Sequence, residues 1–503
     1  MTAYNAETRP DHIHTLGLLK QSGYRIRSIK EEIRENLRLK IASGDTVFQG
    51  IYGYEDSVIP QVERALLSQH NILLLGLRGQ AKTRLARMIP SLLDAWIPVV
   101  SGSAIQDDPF MPISRYAKDL IAKHGDDTPI TWMASADRYV EKLATPDVSV
   151  ADLIGDSDPI LAANLKLPYS DERVMHFGLI PRAHRCIFVL NELPDLQPRI
   201  QVALFNILQE GDIQIRGFRL RMALDIQFIF TANPEDYTHR GSIVTPLKDR
   251  IESQILTHYP ERIEDSKKIT LQEAQPAEAQ LSQLDCPEIL HTLLEQLAIE
   301  ARRSEYVDQK SGVSARMTIS AYENLLSTAE RRMLRNQESN TTVRISDLWG
   351  AIPGLTGKME LVYEGEQEGS MMVAEHLISK ALRALFISYF PDPNKSQKKK
   401  NIEPSPYTEI VDWFTQGNRL ETELEMSDAQ YQARLHTVPG LSALVQKSIP
   451  GIRAEALPVW MEFLLHGLSE YSLLRRDKLK NGGLSFTDIL NHMFSDMEDE
   501  DAS

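Results

Sequence analysis

The sequence has little cysteine and no long apolar run. Two thiols, Cys186 and Cys286, occur in 503 residues, which is too few for a disulfide framework or a cysteine-rich zinc site. No run of about 18 consecutive apolar residues exists, so a transmembrane helix is not expected. Residues 1–10 are polar and carry no secretory apolar core. These absences predict a protein of a reducing, cytoplasmic compartment.

Positive charge is also scarce. The chain has 55 Lys and Arg against 70 Asp and Glu, which gives a net charge of -15. Such an acidic chain is not expected to bind nucleic acid through its overall field. The hydrophobic fraction of 42% and the charged fraction of 25% are ordinary for a soluble globular protein. The length predicts several core-forming units.

A phosphate-loop pattern follows the apolar run that begins at residue 71. Gly76, four residues, Ala81, Lys82 and Thr83 match G-x-x-x-x-G-K-[ST], with Ala in place of the second Gly. Backbone N–H groups of such a loop cradle a polyphosphate, the lysine reaches its outer phosphates, and the threonine can ligate Mg²⁺. An ordinary strand, turn and helix with an exposed lysine is the alternative interpretation.

Two further apolar runs end in polar residues. Residues 185–192 end in Asn191 and Glu192, and residues 224–233 end in Asn233. Continuous apolar runs are typical of strands buried on both faces of a parallel sheet. Because ligand sites in such sheets lie at the carboxyl ends of the strands, we expect these side chains in one crevice with the phosphate loop. Glu192 could orient or deprotonate a water there.

Other segments complete an α/β pattern. Residues 84–93 are predicted to continue the helix that follows the phosphate loop, and residues 97–100 to form the next strand. Residues 211–222 alternate around a glycine and predict a hairpin, for which a solvated charged face is the alternative. Helical spacing in residues 286–303 and 318–335 predicts a helical lid.

In this order, the motifs resemble those of an AAA+ ATPase of the group that contains the MoxR proteins and the ATPase subunit of magnesium chelatase, over residues 49–335. The resemblance implies an α/β fold: a P-loop core with a parallel sheet, a helical lid and an additional, mainly α-helical C-terminal domain. It implies that ATP is bound by the Walker A residues Gly76, Arg78, Gly79, Gln80, Ala81, Lys82 and Thr83. It implies an insertion at residues 153–184 and a presensor hairpin at 211–222.

The same resemblance assigns catalytic roles. Asn191 and Glu192 stand at the end of Walker B, with Thr83 and Asn191 as the Mg²⁺ ligands. The remaining roles are sensor 1 for Asn233, the arginine finger for Arg250 and sensor 2 for Arg316. A local ion pair of Arg250 with Asp249 or Glu252 is the alternative to a finger.

Two positions depart from the pattern of the family. Ala81 replaces the usual glycine, as it does in MoxR-type loops, and so favours the MoxR side of the group. Asn191 stands where Walker B carries Asp, and an amide brings no negative charge to Mg²⁺. Weaker Mg²⁺ affinity or slow turnover is the expected consequence.

The implied function is a Mg²⁺-dependent ATPase that assembles as a homo-oligomeric ring, expected to be a hexamer, and remodels a protein client or adaptor. A client with a von Willebrand A-type domain would fit the MoxR resemblance. The alternatives are a chelatase-like motor subunit for metal insertion and a nucleotide-gated scaffold that hydrolyses ATP weakly. A bacterial enhancer-type transcription activator is disfavoured, because the sequence has no helix-turn-helix signature and is acidic.

The predicted organisation has five segments. They are a helical lead-in (1–48), the α/β ATPase core (49–262), the lid with a long helix (263–390), a Pro-bearing basic linker (391–406) and a mainly helical C-terminal domain with an acidic tail (407–503).

Overall fold

A computed structural model describes residues 8–168, 171–210, 213, 222–233, 243–398, 405–479 and 483–489. The chain divides into two compact units, Met1–Tyr259 and Pro260–Ser503. Within the described ranges, no helix is both long enough and apolar enough to cross a bilayer. The predicted hairpin at 211–222 and the acidic tail lie outside the described residues, apart from Ile213 and Met222.

The described strands of the first unit include the three apolar runs seen in the sequence, which form β1, β7 and β8. They are β1 (Ile72–Leu75), β2 (Trp96–Val100), β3 (Ile130–Ala134), β4 (Tyr139–Leu143), β5 (Gly155–Ser157), β6 (Met175–Phe177), β7 (Cys186–Asn191), β8 (Ile226–Ala232) and β9 (Ser253–Leu256). In the described part of the chain, one sheet has the order β4-β7-β8-β1-β9, and its neighbouring strands are all parallel. The carboxyl ends of β1, β7 and β8 therefore meet at the same edge.

Alternate residues of these strands enter two different cores. Phe188 and Phe230 point into one apolar cluster, whereas Val189 and Ile229 point into the other. Because side chains alternate along a strand, a sheet covered on both faces needs apolar residues at every position. This explains why β7 and β8 are continuous apolar runs, and it confirms that both strands are buried.

The first unit also contains helices. They are α1 (Leu16–Gln21), α2 (Ile29–Ser43), α3 (Val58–Leu67), α4 (Lys82–Met88), α5 (Arg115–His124), α6 (Val150–Leu153), α7 (Pro159–Leu165), α8 (Leu179–Arg182), α9 (Pro198–Glu210) and α10 (Thr245–Lys248). Helix α2 begins at a capping box of Ser28 and Glu31. Helix α4 is shorter than expected, because Pro90 follows it and the chain continues as a 3₁₀ turn over Ile89–Leu92.

The strand predicted at residues 97–100 is present as part of β2. Strand β2 pairs antiparallel with β3, outside the five-stranded sheet. The parallel partner of β7 on that side is β4, which the sequence analysis did not identify. In the segment likened to the insertion of the family, β5 and β6 form a short antiparallel pair.

The second unit is mainly helical. Its helices are α11 (Ile263–Glu273), α12 (Glu278–Gln283), α13 (Glu288–Arg303), α14 (Arg316–Arg335), α15 (Ile352–Thr356), α16 (Tyr363–Glu368), α17 (Ser370–Tyr389), α18 (Pro393–Lys398), α19 (Thr408–Thr415), α20 (Asp428–Leu435), α21 (Leu441–Ser448) and α22 (Leu457–Glu470). Its strands are β10 (Leu284–Asp285), β11 (Thr341–Thr342), β12 (Leu420–Thr422), β13 (Arg475–Lys478) and β14 (Leu484–Thr487).

One apolar core includes residues of this unit from Leu284 to Phe486. It therefore draws on both sides of the predicted linker 391–406, part of which is helix α18. The finer segmentation given above stays a prediction.

Candidate functional site

The loop between β1 and α4 has the backbone of a tight, glycine-dependent turn. Gly79 has φ of 74° and Ala81 has φ of 55°, in the left-handed region that a side chain disfavours. A Cβ on Gly76 would lie 1.9 Å from Thr257 Oγ1 and 2.2 Å from Gln80 Oε1. Glycine is therefore required at position 76, whereas Ala81 adopts the conformation for which glycine is the usual residue.

Side chains of the first unit support the loop from outside. The hydroxyl of Tyr54 lies 2.9 Å from the carbonyl oxygen of Gln80, and Tyr259 donates to the carbonyl of Arg78 at 2.9 Å. Thr257 donates to the side-chain oxygen of the buried Gln80 at 2.8 Å. These contacts bind carbonyl and amide oxygens of the loop and thereby help to hold its conformation.

Lys82 is the first residue of α4, and its side chain is buried against the loop and β8. Its ammonium donates to the carbonyl of Gly76, to that of Leu77 at 3.0 Å and to Asn233 Oδ1 at 2.8 Å. Only 7% of the residue is exposed. A buried ammonium at the end of such a loop is suited to an anionic group, because charge-assisted hydrogen bonds are the stronger ones.

Glu192 and Asn233 complete this cluster. Asn233 donates from Nδ2 to Glu192 Oε2 at 3.0 Å while its own oxygen accepts from Lys82. Glu192 has φ of 54°, a left-handed value. Backbone strain of this kind at a non-glycine residue is concentrated at functional sites. The amide of Asn233 therefore joins the lysine of the phosphate loop to the carboxylate that was expected to act on water.

Asn191 lies beside this cluster, and its amide is held by two neighbours. Its Nδ2 donates to Glu141 Oε1 on β4 at 2.6 Å, and its Oδ1 accepts from the hydroxyl of Thr231 at 3.1 Å. Thr231 Oγ1 accepts in turn from the backbone N–H of Glu192 at 3.2 Å. The network thus runs from β4 through β7 and β8 to the strained residue.

Glu141 is itself held by Arg87, which lies one helical turn after Thr83 on α4. Arg87 donates to both carboxylate oxygens, from Nε at 2.9 Å and from Nη2 at 3.1 Å. Burial opposes ionisation of Glu141, but hydrogen bonds from Arg87 and Tyr139 and the charge of Arg87 outweigh it, so the pKa of Glu141 lies below its usual value. Glu141 is therefore an ionised acceptor next to Asn191.

Two further arginines, Arg250 and Arg316, were given roles toward a nucleotide. Arg250 donates from Nε to Gln209 Oε1 at 3.1 Å and from Nη1 to the carbonyl of Pro246 at 2.7 Å. Its guanidinium lies 5.2 Å from the ring centre of Phe205. Arg316 is exposed at the first residue of α14 in the second unit. Their roles toward a nucleotide stay predictions, and the side chain of Thr83 is half-buried near the start of α4.

Three contributors to the site were missed by sequence reasoning. Glu141 lies on an edge strand whose residues are only partly buried, so it has no continuous apolar run to reveal it. Thr231 lies within an apolar strand, where a threonine is ordinary. Thr257 follows β9 directly, and a polar residue at that strand end was the available signal.

The fold and the loop define a class of protein. A parallel sheet with a phosphate loop after β1 and polar residues after β7 and β8 is the α/β fold of the AAA+ ATPases. The predicted fold class is therefore confirmed.

A family model matches part of the first unit. Residues 166–254 match the family model described as Sigma-54 interaction domain. The matched segment contains Asn191, Glu192, Asn233 and Arg250, whereas the phosphate loop lies outside it. The description belongs to the activator class that the sequence analysis disfavoured. Because the match covers only a central part of the chain, it does not establish membership of that family.

Several solved structures are similar at low identity. A presumed ATPase from Cytophaga hutchinsonii is 17% identical, with 70% of this chain and 96% of that chain covered and a TM-score of 0.28. NtrX from Brucella abortus in complex with ATP is 15% identical, with coverages of 65% and 56% and a TM-score of 0.34. The complex between subunits BchI and BchD of magnesium chelatase is 17% identical, with coverages of 64% and 98% and a TM-score of 0.33. These low scores carry no argument about function.

Proposed function

We propose that the protein binds and hydrolyses ATP in the crevice at the carboxyl ends of β1, β7 and β8. The observation that carries this proposal is the contact of the buried Lys82 ammonium with Asn233 Oδ1, next to the contact of Asn233 with Glu192. One hydrogen-bonded path thereby links the residue type that binds phosphate to the residue type that activates water.

The loop residues fit a polyphosphate. Left-handed backbone at Gly79 and Ala81 turns successive N–H groups into a concave loop of the kind that binds anions. Lys82 adds positive charge at the end of that loop. Together with Gly76, Arg78, Gln80 and Thr83, these residues are the proposed ATP contacts.

The fit for Mg²⁺ is partial. The hydroxyl of Thr83 and the amide oxygen of Asn191 are the proposed ligands, and the ion would add positive charge beside the outer phosphates. Asn191 Oδ1 already accepts one hydrogen bond, from Thr231, so it has one acceptor position left. That position can hold the ion directly or through a water.

The proposed chemistry assigns one task to each residue. Glu192 accepts a proton from the attacking water, and Asn233 orients the Glu192 carboxylate through its amide. Arg250 supplies positive charge to the transition state in a neighbouring subunit, and Arg316 contacts the nucleotide from the lid. Together they would hydrolyse a phosphoric anhydride bond without a covalent intermediate.

The proposed biological role is that of a MoxR-type motor: a ring, expected to be a hexamer, whose ATP cycle remodels a protein partner. Ala81 supports the MoxR side of the group. The weakly hydrolysing scaffold is the second candidate, and the specific observation that favours it is the neutral amide at position 191. A chelatase-like motor subunit remains a third proposal, which reconstitution of metal insertion into a tetrapyrrole would test.

The test is steady-state ATP turnover by the full chain in excess Mg²⁺, beside Glu192→Gln. Removing a general base lowers turnover by about 10²- to 10⁴-fold, so Glu192→Gln should bind ATP and barely hydrolyse it. Glu172→Gln in the same unit is the control and should keep the parental rate. Parental turnover in Glu192→Gln would refute the assigned base, and a parental protein that binds ATP without hydrolysing it would favour the scaffold.

A further inference from the structure

The carboxylate of Glu141, on strand β4, contacts Asn191, the amide that stands where Walker B usually has aspartate. Leu143 of β4 is the register partner of Asn191 on β7, and Glu141 Oε1 accepts from Asn191 Nδ2 at 2.6 Å. Both oxygens of the Glu141 carboxylate accept hydrogen bonds from Arg87, so Glu141 offers Asn191 only an acceptor. The amide of Asn191 must therefore turn its NH₂ group toward Glu141 and its oxygen toward Thr231. These two hydrogen bonds fix its orientation.

This orientation reaches the proposed base. The hydroxyl of Thr231 donates to Asn191 Oδ1 and therefore presents a lone pair to the backbone N–H of Glu192. Glu192 adopts a left-handed conformation, which persists only where the surroundings determine it. Glu141 thus helps to hold Glu192 through Asn191 and Thr231.

The contact also explains why the amide is needed. An aspartate at position 191 would set a second acceptor against the Glu141 carboxylate, and neither group would have a hydrogen to donate. Arg87 neutralises one carboxylate at this place with a two-pronged contact, and it would not neutralise two. The residues at 141 and 191 are therefore a matched acceptor and donor.

We propose that Glu141 is a positioning residue of the ATPase site, which orients Asn191 and thereby makes an amide workable where Walker B usually has a carboxylate. The proposal rests on the ATPase function proposed above. It predicts that the carboxylate and the amide can change places: aspartate at position 191 supports ATP turnover when glutamine stands at position 141.

The experiment compares the parental protein, Asn191→Asp, Glu141→Gln and the double variant. Coupling between contacting residues commonly corresponds to about tenfold in rate. Asn191→Asp should therefore lower kcat by about tenfold, and the double variant should recover most of that loss. It should also reach half-maximal turnover at a lower Mg²⁺ concentration than the parental protein, because the introduced aspartate adds charge beside the ion. Asp137→Asn, an exposed carboxylate four residues before Glu141, is the matched control.

A purely structural role would lower stability without this reciprocal recovery. A double variant no more active than Asn191→Asp would overturn the proposal, as would an Asn191→Asp variant as active as the parental protein. Thermal unfolding of the same four proteins without nucleotide gives a second readout, in which Asn191→Asp should lower Tm more than the double variant does. If the Tm change of the double variant equals the sum of the changes of the two single variants, the proposed pairing of Glu141 with Asn191 is also wrong. Failure of the ATPase function is seen separately, as absent ATP binding in the parental protein.

Discussion

Lys82 in the first unit and Arg332 in the second are both buried cations, and their surroundings differ in kind. Partners of Lys82 include two backbone carbonyls and the amide of Asn233. Arg332, which is 1% exposed, instead meets two carboxylates, those of Asp347 at 2.9 Å and Asp428 at 3.1 Å. The charge of Arg332 is paired with protein anions, whereas Lys82 contacts the oxygens of a loop suited to an anion.

The backbone shows the same difference. Lys82 follows a left-handed alanine and lies near a left-handed glutamate, whereas Arg332 lies within the regular helix α14. A buried charge is therefore not by itself a sign of function. It indicates a site when it lies at the ends of parallel strands, beside strained backbone. The charge of Lys82 should accordingly control turnover, and that of Arg332 should control stability.

The largest effect expected from this contrast is that of Arg250→Ala. Arginine fingers contribute about 10³- to 10⁵-fold in rate, so turnover should nearly vanish while ATP binding, measured by calorimetry, is kept. In the monomer, Arg250 contacts Gln209 and the carbonyl of Pro246, and these contacts must open if it acts on a neighbouring subunit.

Mixing experiments decide whether Arg250 acts between subunits. Arg250→Ala subunits keep an intact pocket, and Lys82→Ala subunits keep an intact finger. A mixed ring should recover part of the activity that both parents lack. If rings shown to be mixed are no more active than the sum of the two parents, Arg250 acts only within its own chain.

The next effect concerns stability rather than rate. Asp347→Ala removes a carboxylate partner of the buried Arg332, and breaking a buried pair costs about 3 to 5 kcal/mol. Hydrogen exchange should therefore speed up in the apolar core of the second unit. Glu421→Ala is the control, because Glu421 pairs with the exposed Arg419 at 3.7 Å and such pairs contribute about 0 to 1 kcal/mol. Equal effects of the two variants would contradict the comparison.

A smaller effect should appear as a pH dependence. Burial raises the pKa of Glu295 to about 7, against opposing hydrogen bonds from Thr270 and Thr318. A raised carboxyl pKa stabilises the folded state below its unfolded value of about 4.5, and this contribution is lost as the pH rises toward 7. Over that window, the parental protein should lose on the order of 3 kcal/mol of unfolding free energy that Glu295→Gln does not lose.

Chemical unfolding at several pH values measures this difference directly. Background titrations are shared by the parental protein and the variant, so they cancel when the two curves are subtracted. Glu305→Gln changes an exposed carboxylate of the same unit and should follow the parental curve. A difference curve for Glu295→Gln that is flat between pH 4.5 and 7 would show that this carboxyl is ionised in the folded state.

The contrast between the units also explains what sequence could predict. Strands β1, β7 and β8 are buried on both faces, so each gives a continuous apolar run with a polar end, and the meeting of Lys82 and Asn233 followed from parallel pairing. Strand β4 lies at the sheet edge and is only partly buried, so its sequence, YVEKL, gives no such signal. Glu141, the hydrogen-bond partner of Asn191, therefore could not be predicted from the sequence.

Strand β2 shows a second limit. Its β-branched residues predicted a strand correctly, yet local sequence does not specify a pairing partner, and β3 lies in a stretch rich in turn residues. Likewise, Arg332 and its carboxylates lie in amphipathic helices whose periodicity marks the core without showing which charges meet inside it. Pairing across long sequence separation depends on tertiary packing, which a single sequence does not encode locally.

We propose that Lys82 binds a polyphosphate, whereas Arg332 stabilises the fold. Calorimetric titration of Mg²⁺-ATP into the full chain, into Lys82→Ala and into Lys123→Ala tests it most directly. Lys123 is an exposed lysine of the same unit and serves as the control. The parental protein and Lys123→Ala should bind ATP alike, and Lys82→Ala should lose at least about tenfold in affinity, as expected for a charge-assisted contact, with an unchanged circular dichroism spectrum. Equal ATP affinity of all three proteins would contradict the account.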